Sequence, residues 1–485
     1  MTKELRRLSI IVLFMFLALF ASTSYIQVIQ ADALADQPTN RRTLFDAYEV
    51  QRGAIIAGGQ EIASSVPSGD VYAWQRQYAD SHMWSPVTGY LNPVLVSATG
   101  IERAMGQELS GTAGSAFFSR IEQIVTGQPP RGSSVMLTLD PAVQQAAFEA
   151  MQGLTGAVVA IEPDTGRIRA LVSTPGYDAN QLAQHDIEAT NSAHSALEND
   201  PLRPLQNRAL EELNPPGSTF KLIVTAAALA SGEWDEDSEL PNPPTFRLPQ
   251  SSATVQNANG GTCGGGSTVS IATALRLSCN VPFAELAIEM GDDAVRDMAE
   301  RFGFNHDFSV PLTVTPSSYP AELDNPQTGL TGFGQGRLTS TPLQIAMISA
   351  GIANGGTVME PYMVDRIVGV DLSVQKSTTP TPFGEAIDED LATLLTSMMV
   401  ANVQDGVASG ARIDGVDVAG KTGTAEMGGE NDPYTLWFTG FAPADDPEIA
   451  VAVVVEDGGG QGQSGSGNTI AAPIAKKVME AVLSR

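Results

Sequence analysis

Apolar residues fall into three regimes along the chain. From Leu8 to about Ile29 they are nearly continuous, with Ile10 to Ala21 unbroken. As a helix this stretch spans roughly 33 Å, enough to cross a bilayer. Between 31 and 150 the pattern is mixed. Residues 41–56 read as strand-like pieces around a turn at Gly53, and 100–111 as one short helix. "SVMLTLD" (134–140) alternates like a strand, and "PAVQQAAFEAM" (141–151) opens a helix on its proline. From Gly156 the periods become clear. "GAVVAIEPDTGRIRALVS" (156–173) predicts a hairpin around Pro163-Asp164-Thr165-Gly166. Helical spacing follows over 220–231, 270–290, 341–353 and 388–401. Strands return in "VDVAGKTGTAE", "LWFTGFAP" and "EIAVAVVVED" before a last helix at 470–484. Strands at both ends with helices between predict an α+β domain whose sheet is closed by distant segments. The chain divides into an apolar N-terminal segment (1–30), a smaller module (31–150) and the α+β domain (151–485).

Charge narrows the setting. Aspartate and glutamate outnumber lysine and arginine by 55 to 27, a formal charge of −28. That excludes a nucleic-acid partner, which needs basic surface to displace counterions. The N-terminus is the exception, with Lys3, Arg6 and Arg7 ahead of the apolar segment. Basic residues on that side place the N-terminus in the cytoplasm and the bulk outside the cell. A retained anchor and a signal peptide cleaved after Ala33-x-Ala35 both export the protein. In that compartment Cys263 and Cys279 are free to bridge; two buried thiols are the alternative.

A nucleophilic serine needs a base. His82, His185, His194 and His306 sit in polar stretches, and no G-x-S-x-G elbow occurs. "NPPGSTFKLIV" (214–224) offers the other solution: Ser218 after a Pro-Pro-Gly turn, with Lys221 one helical turn later. Lysine is scarce, six residues among the 27 basic ones, and Lys221 alone lies between Lys3 and Lys376. Arginine could not serve as a base, because it does not deprotonate in proteins. Ser373 and Lys376 in "SVQK" repeat the spacing, but "STTPTP" follows and the stretch reads as a solvated loop. "GVDVAGKT" (415–422) fits a phosphate loop, yet Val416 and Val418 alternate like a strand, and Gly423, Gly428, Gly429 and Pro433 forbid the helix such a loop must open. On a strand, Lys421, Thr422 and Thr424 would offer a cation and two hydroxyls to an anionic substrate. "SCN" supplies Ser278 and Asn280 between the two lysines. Taken in order, S-x-x-K, S-x-N and K-T-G are the set found in penicillin-binding proteins and class A β-lactamases.

By these motifs the chain resembles a class B penicillin-binding protein of the short actinobacterial kind. "RGAI" (52–55), "GIE" (100–102), "TLDPAVQQ", "STPGYDAN", "GQGRLTSTPLQIA" (334–346), "NGG" and "WFTGFAP" are similar to further family landmarks, in order. "AGGQEIAS" (57–64) departs from the family's Asp-Arg-Asn-Gly turn. The resemblance implies a penicillin-binding/β-lactamase-like transpeptidase domain, an antiparallel sheet flanked by helices, behind an interaction or dimerisation module and a membrane anchor. It implies that Ser218 attacks D-Ala-D-Ala in peptidoglycan stem peptides of a lipid-linked precursor, with Lys221 as base. Ser278 and Asn280 would relay the proton and hold the substrate amide. Lys421, staying positive, would bind the terminal carboxylate with Thr422, Gly423 and Thr424. The backbone N–H groups of Ser218 and Thr424 would form the oxyanion hole. No cofactor and no metal are implied; β-lactams are implied as inhibitors, and a glycan polymerase and cell-division or elongation proteins as partners. A carboxypeptidase, a β-lactamase, a β-lactam sensor or a non-catalytic scaffold would share parts of the motif set.

Overall fold

The computed structural model describes residues 2–30, 50–92, 95, 97–113, 131–429 and 431–484; the strand-like reading of 41–49 lies outside them. Helix α1 (Thr2–Ser24) carries the N-terminal apolar run. The segment Lys3–Gln27 contains an 18-residue stretch with a mean hydropathy of 2.1 and no buried residue, as a single-pass anchor would.

Strands β1 (Ile55–Ala57), β2 (Gln60–Pro67), β3 (Trp74–Tyr78) and β4 (Ser134–Leu137) belong to the smaller module. The expected hairpin forms β5 (Gly156–Ile161) and β6 (Ile168–Thr174). Later come β7 (Val364–Val368), β8 (Val374–Ser377), β9 (Ala419–Ala425), β10 (Thr435–Ala442) and β11 (Ile449–Val455). They make two principal sheets. The first runs β8-β7-β4-β1-β2-β3, with β4 parallel to β1. The second runs β9-β10-β11-β5-β6 and is antiparallel throughout. Its closure is the expected long-range one: Gly156 pairs with Val455.

Both faces of the second sheet are covered. Along β5, Ala157, Val159 and Ile161 join a core with helices from the middle of the chain, while Val158 and Ala160 join a second core with the C-terminal helix Ala472–Leu483. A strand buried on both faces loses its polar alternation, which is why "GAVVAI" reads as a continuous apolar run.

Three local expectations change. Gly53 is not a turn: it lies in extended chain beside Ser133, whose carbonyl oxygen would be 1.9 Å from any Cβ there. The stretch 100–111 forms two short helices, Gly100–Ala104 and Gly106–Ser110, interrupted at Met105. "SVQK" is not a loop but contains edge strand β8. Its exposed Lys376 is the residue type that keeps a short open edge from recruiting another strand.

The first sheet also explains two of the sequence landmarks. Arg52 of "RGAI" donates to Glu102 Oε2 of "GIE" at 2.6 Å, and Arg76 on β3 donates to Glu102 Oε1 at 2.5 Å. All three side chains are buried. Burial, the largest influence on Glu102, opposes its charge, but Arg76 and Arg52 outweigh it and hold the carboxyl below its ordinary range.

Candidate active site

The turn before Ser218 is shaped by glycine. Gly217 has φ +54°, a left-handed conformation that glycine adopts without cost, and its N–H donates to Gly334 O at 2.9 Å. The two backbones meet so closely that a Cβ on Gly334 would lie 1.9 Å from Gly217 O. Trp437 on β10 donates its indole N–H to Pro215 O at 3.0 Å and fixes the other end. Ser218 sits in the 3-10 turn Gly217–Phe220, half-buried, and the chain continues directly into α2 (Lys221–Ser231).

Lys221 is fully buried. Its Nζ donates to Ser278 O and to Asn280 Oδ1, each at 2.8 Å, and to Ser278 Oγ at 3.4 Å. It also stands 5.5 Å from the centroid of the Phe283 ring. Burial, reinforced by the charge of Lys421, pushes its pKa well below that of an ordinary lysine. Among the described residues no hydrogen bond joins Lys221 Nζ to Ser218 Oγ; in this state the amine is engaged by the S-x-N segment.

That segment breaks the helical stretch expected over 270–290 into α3 (Ile271–Leu277) and α4 (Val281–Met290). Between them Ser278 adopts φ 58°, ψ 42°. A serine in this left-handed region stores on the order of 1 kcal/mol or more, and such strain collects where a side chain must be aimed. Here it aims Oγ between two lysines: Lys421 Nζ donates to it at 2.8 Å from the opposite side. Asn280 gives its Oδ1 to Lys221 and its Nδ2 to Gln256 O at 3.1 Å. Both ends of the amide are therefore occupied by protein.

Lys421 lies on β9, as the alternation implied, and β9 is the sheet edge packed against the Ser218 turn. The lysine is fully buried and its Nζ also donates to Thr422 O at 3.1 Å. Burial lowers its pKa to about 7, so the positive charge expected of Lys421 depends on pH near neutrality. Its neighbours divide the remaining work. Gly423 is a packing residue, since a Cβ there would stand 3.0 Å from Pro216 O and 3.2 Å from Thr219 Cγ2. Thr422 donates its hydroxyl to Val407 O at 3.3 Å and is buried, whereas Thr424 is exposed. Gly217 approaches Thr424 closely: a Cβ on Gly217 would lie 3.0 Å from Thr424 O and 3.3 Å from Thr424 N, so the backbones of the Ser218 turn and of Thr424 are neighbours.

Cys263 and Cys279 are joined by a disulfide, with a Cα–Cα distance of 5.8 Å. Cys279 is the middle residue of the S-x-N segment, so the bridge ties that segment to the loop 258–266.

Two buried asparagines are absent from the motif set. Asn257 Oδ1 accepts from Asn280 N at 2.9 Å and Val281 N at 3.1 Å, capping α4 where it leaves the site. Asn402 donates through Nδ2 to Leu275 O at 3.2 Å and Arg276 O at 2.7 Å, holding the end of α3 just before Ser278. Neither carries a local sequence signal. Among the described residues no group of three or more histidines, cysteines or acidic residues could hold a metal ion.

Comparison with known proteins agrees with this geometry. Residues 156–480 match the penicillin-binding protein transpeptidase domain, and residues 52–135 the penicillin-binding protein A dimerisation domain. The chain is 42% identical to the peptidoglycan D,D-transpeptidase PbpA of Mycolicibacterium smegmatis, covering 100% of this chain and 99% of that one. The counterpart from Mycobacterium tuberculosis gives the same figures. Among solved structures, the imipenem acyl-enzyme complex of penicillin-binding protein A from M. tuberculosis superimposes with a TM-score of 0.86 at 42% identity, covering 90% of this chain and 99% of that one. The penicillin G complex gives 0.85 at 41%, covering 90% and 100%.

Proposed function

Since the chain belongs to the class B penicillin-binding proteins, the peptidoglycan D,D-transpeptidases, we propose that it cross-links stem peptides through an acyl-enzyme on Ser218, the same serine that β-lactams acylate. The observation that carries this assignment is the shared hydroxyl: Ser278 Oγ lies between the buried amines of Lys221 and Lys421, one helical turn from Ser218.

Ser218 Oγ attacks the carbonyl carbon of the penultimate D-alanine. As the new C–O bond forms, the hydroxyl proton passes to neutral Lys221, freed for this by its lowered pKa. The N–H groups of Ser218 and Thr424 receive the oxyanion, each donor of this kind being worth roughly 3–4 kcal/mol. Collapse breaks the C–N bond, and the departing D-alanine takes a proton through Ser278 Oγ. An amine on a neighbouring stem then attacks the ester carbon, the C–O bond to Ser218 breaks, and the amine's proton returns through Ser278 and Lys221 to Ser218 Oγ. Lys421 and Thr424 hold the terminal carboxylate of the donor. Asn280, with both ends engaged by protein, serves first to position Lys221.

Residues 31–150 form the interaction or dimerisation module and 151–485 the catalytic domain. Lys3, Arg6 and Arg7 in the first two turns of α1, ahead of its apolar run, keep the N-terminus in the cytoplasm and the catalytic domain outside. A glycan polymerase and the division or elongation machinery are the partners this role calls for. Labelling with fluorescent penicillin and mass mapping of the adduct tests the assignment. The adduct is expected on the peptide containing "PGSTFK"; an adduct elsewhere, or none, overturns it.

A further inference from the structure

The apolar side chains that this fold leaves in water are not scattered. Beyond the N-terminal apolar segment (residues 2–30), seven large apolar residues are exposed among those described, and five of them lie at one end of the first sheet. Val71, 93% exposed, tips the β2–β3 hairpin, and Val370, Leu372 and Val374 form the tip of the β7–β8 hairpin. Ile187, 65% exposed, follows His185, whose ring pairs with Asp70 at 2.5 Å beside Val71.

Strand register places both tips at the same end. Ala63 on β2 lies opposite Ile55, so the chain running on to Pro67 extends beyond the start of β1. On the other edge Val368 pairs with Ser134 at the start of β4, which is parallel to β1, and residues 369–373 project past it. That is where the chain arrives from α1, marked by the bridge between Gln51 and Arg131. The two hairpins occupy opposite edges of the sheet, four strand spacings or about 19 Å apart.

Leu372 shows that the exposure is built in. It is 82% exposed and has φ +64°, so an apolar side chain stands in water on a backbone that favours glycine. Asp371 fixes the turn by accepting from Ser373 N at 3.0 Å and Ser373 Oγ at 2.6 Å. Around this tip Arg131, Arg366 and Lys376 are solvent-accessible, a cationic collar on a chain whose formal charge is −28.

We propose that this rim is a lipid-contacting surface, its apolar tips entering the interfacial region of the bilayer and its cations meeting lipid phosphates. The inference rests on reading α1 as a membrane anchor. Residues 28–49 reach at most about 75 Å when fully extended, so the anchored body stays within that distance of the bilayer. A flat surface meets two tips at opposite edges of a sheet together, which a single groove on a protein would not. The β7–β8 tip, apolar and flanked by basic side chains, has the composition of an interfacial contact, while Val71 and Ile187, beside the exposed acids Asp70, Asp186 and Glu188, contribute apolar surface alone.

The test uses the full chain in lipid vesicles containing anionic phosphatidylglycerol. Because Cys263 and Cys279 are bridged, an environment-sensitive fluorophore attached without reductant goes to one introduced cysteine. Leu372→Cys and Val71→Cys are the rim sites, and Leu202→Cys, exposed elsewhere, is the control. Lipid carrying a spin label near the headgroup should quench both rim labels and leave the control bright. Flotation with the vesicles reports the anchor separately. A chain that floats while both rim labels stay bright overturns the proposal. So does protection of the rim labels from aqueous iodide in native membranes but not in pure lipid, which would assign the rim to a protein partner. Thermal unfolding of each variant checks that it is folded.

Discussion

Lys421 Nζ donates to Ser278 Oγ at 2.8 Å across 143 positions of the chain. The same hydroxyl accepts from Lys221 at 3.4 Å. A single serine thus connects the two buried amines, and the strained conformation of Ser278 makes that connection possible. Neither lysine has a carboxylate partner among the salt bridges of the described residues, so hydroxyl, carbonyl and amide oxygens take that place.

Ser278→Ala should therefore strike chemistry rather than folding. Removing the hydroxyl leaves the carbonyl and amide contacts of both lysines intact but cuts the proton path between them. Penicillin acylation is expected to fall by about 10² to 10³, within the range typical of lost acid–base function. Unchanged acylation would exclude Ser278 from proton transfer.

The disulfide should matter to stability more than to reaction. Bridging residues 16 apart constrains the unfolded chain by roughly 3 kcal/mol. A Cys263→Ser, Cys279→Ser double variant should unfold at lower denaturant yet still be acylated, because Asn257 and Lys421 continue to hold the S-x-N segment. Asn257→Ala should do the reverse, slowing acylation at a smaller cost in stability, about 1 kcal/mol for a lost helix cap. Denaturant melts and acylation rates of the two variants check this pair of expectations.

Much of the site was legible because its chemistry restricts residue type. A base that must lose a proton cannot be arginine, so Lys221 and Lys421 stand out in an arginine-rich chain. Most of the second sheet was located by continuous apolar runs between turn signals, since strands buried on both faces admit few polar residues. What was hidden depends on distant contacts. Asn257 and Asn402 are ordinary amides until folding places them beside the S-x-N segment. That Gly423 is also packed closely against Pro216 is visible only in the folded chain. The titration of Lys421 follows from burial, which no local pattern records. Gly53 was misread because its neighbour Ser133 comes from a distant segment, and Lys376 because its strand is short and exposed at the sheet edge, paired only within its own hairpin.

The Arg52–Glu102–Arg76 cluster should report on the smaller module alone. Glu102→Gln leaves two buried guanidinium groups without a counter-charge, a loss expected to cost about 3–5 kcal/mol. Acylation per folded molecule should not change. The pH dependence has a definite sign. A carboxyl held below its ordinary range stabilises the fold fully above its unfolded pKa, and that contribution is lost as pH falls through the folded value. Acid should therefore destabilise the wild-type module through Glu102, and Glu102→Gln should lack that component in melts followed from pH 7 downward.

The two lysines should respond differently to arginine, and pH separates them further. Lys221 acts when neutral, and burial with the charge of Lys421 lowers its pKa well below that of an ordinary lysine, which favours that form. Lys421 serves the substrate carboxylate when protonated, and with a pKa lowered to about 7 it loses that proton as pH rises. Acylation should thus rise with pH as Lys221 is freed and fall above about 7 as Lys421 is neutralised; the limbs belong to the coupled pair. Lys221→Arg keeps a charge but removes the base, so it should resemble Lys221→Ala, both slower by about 10² to 10⁴. Lys421→Arg keeps a cation that cannot deprotonate. It should lose only about tenfold at the optimum, the equivalent of 1.4 kcal/mol in altered geometry, and should abolish the falling limb. Lys421→Ala should be clearly slower than Lys421→Arg at every pH. The measurement is the second-order rate of penicillin acylation from pH 5 to 9 for the four variants. A falling limb near 7 that survives in Lys421→Arg would show that another group titrates there, and near wild-type acylation by Lys221→Arg would show that Lys221 contributes charge and not proton transfer.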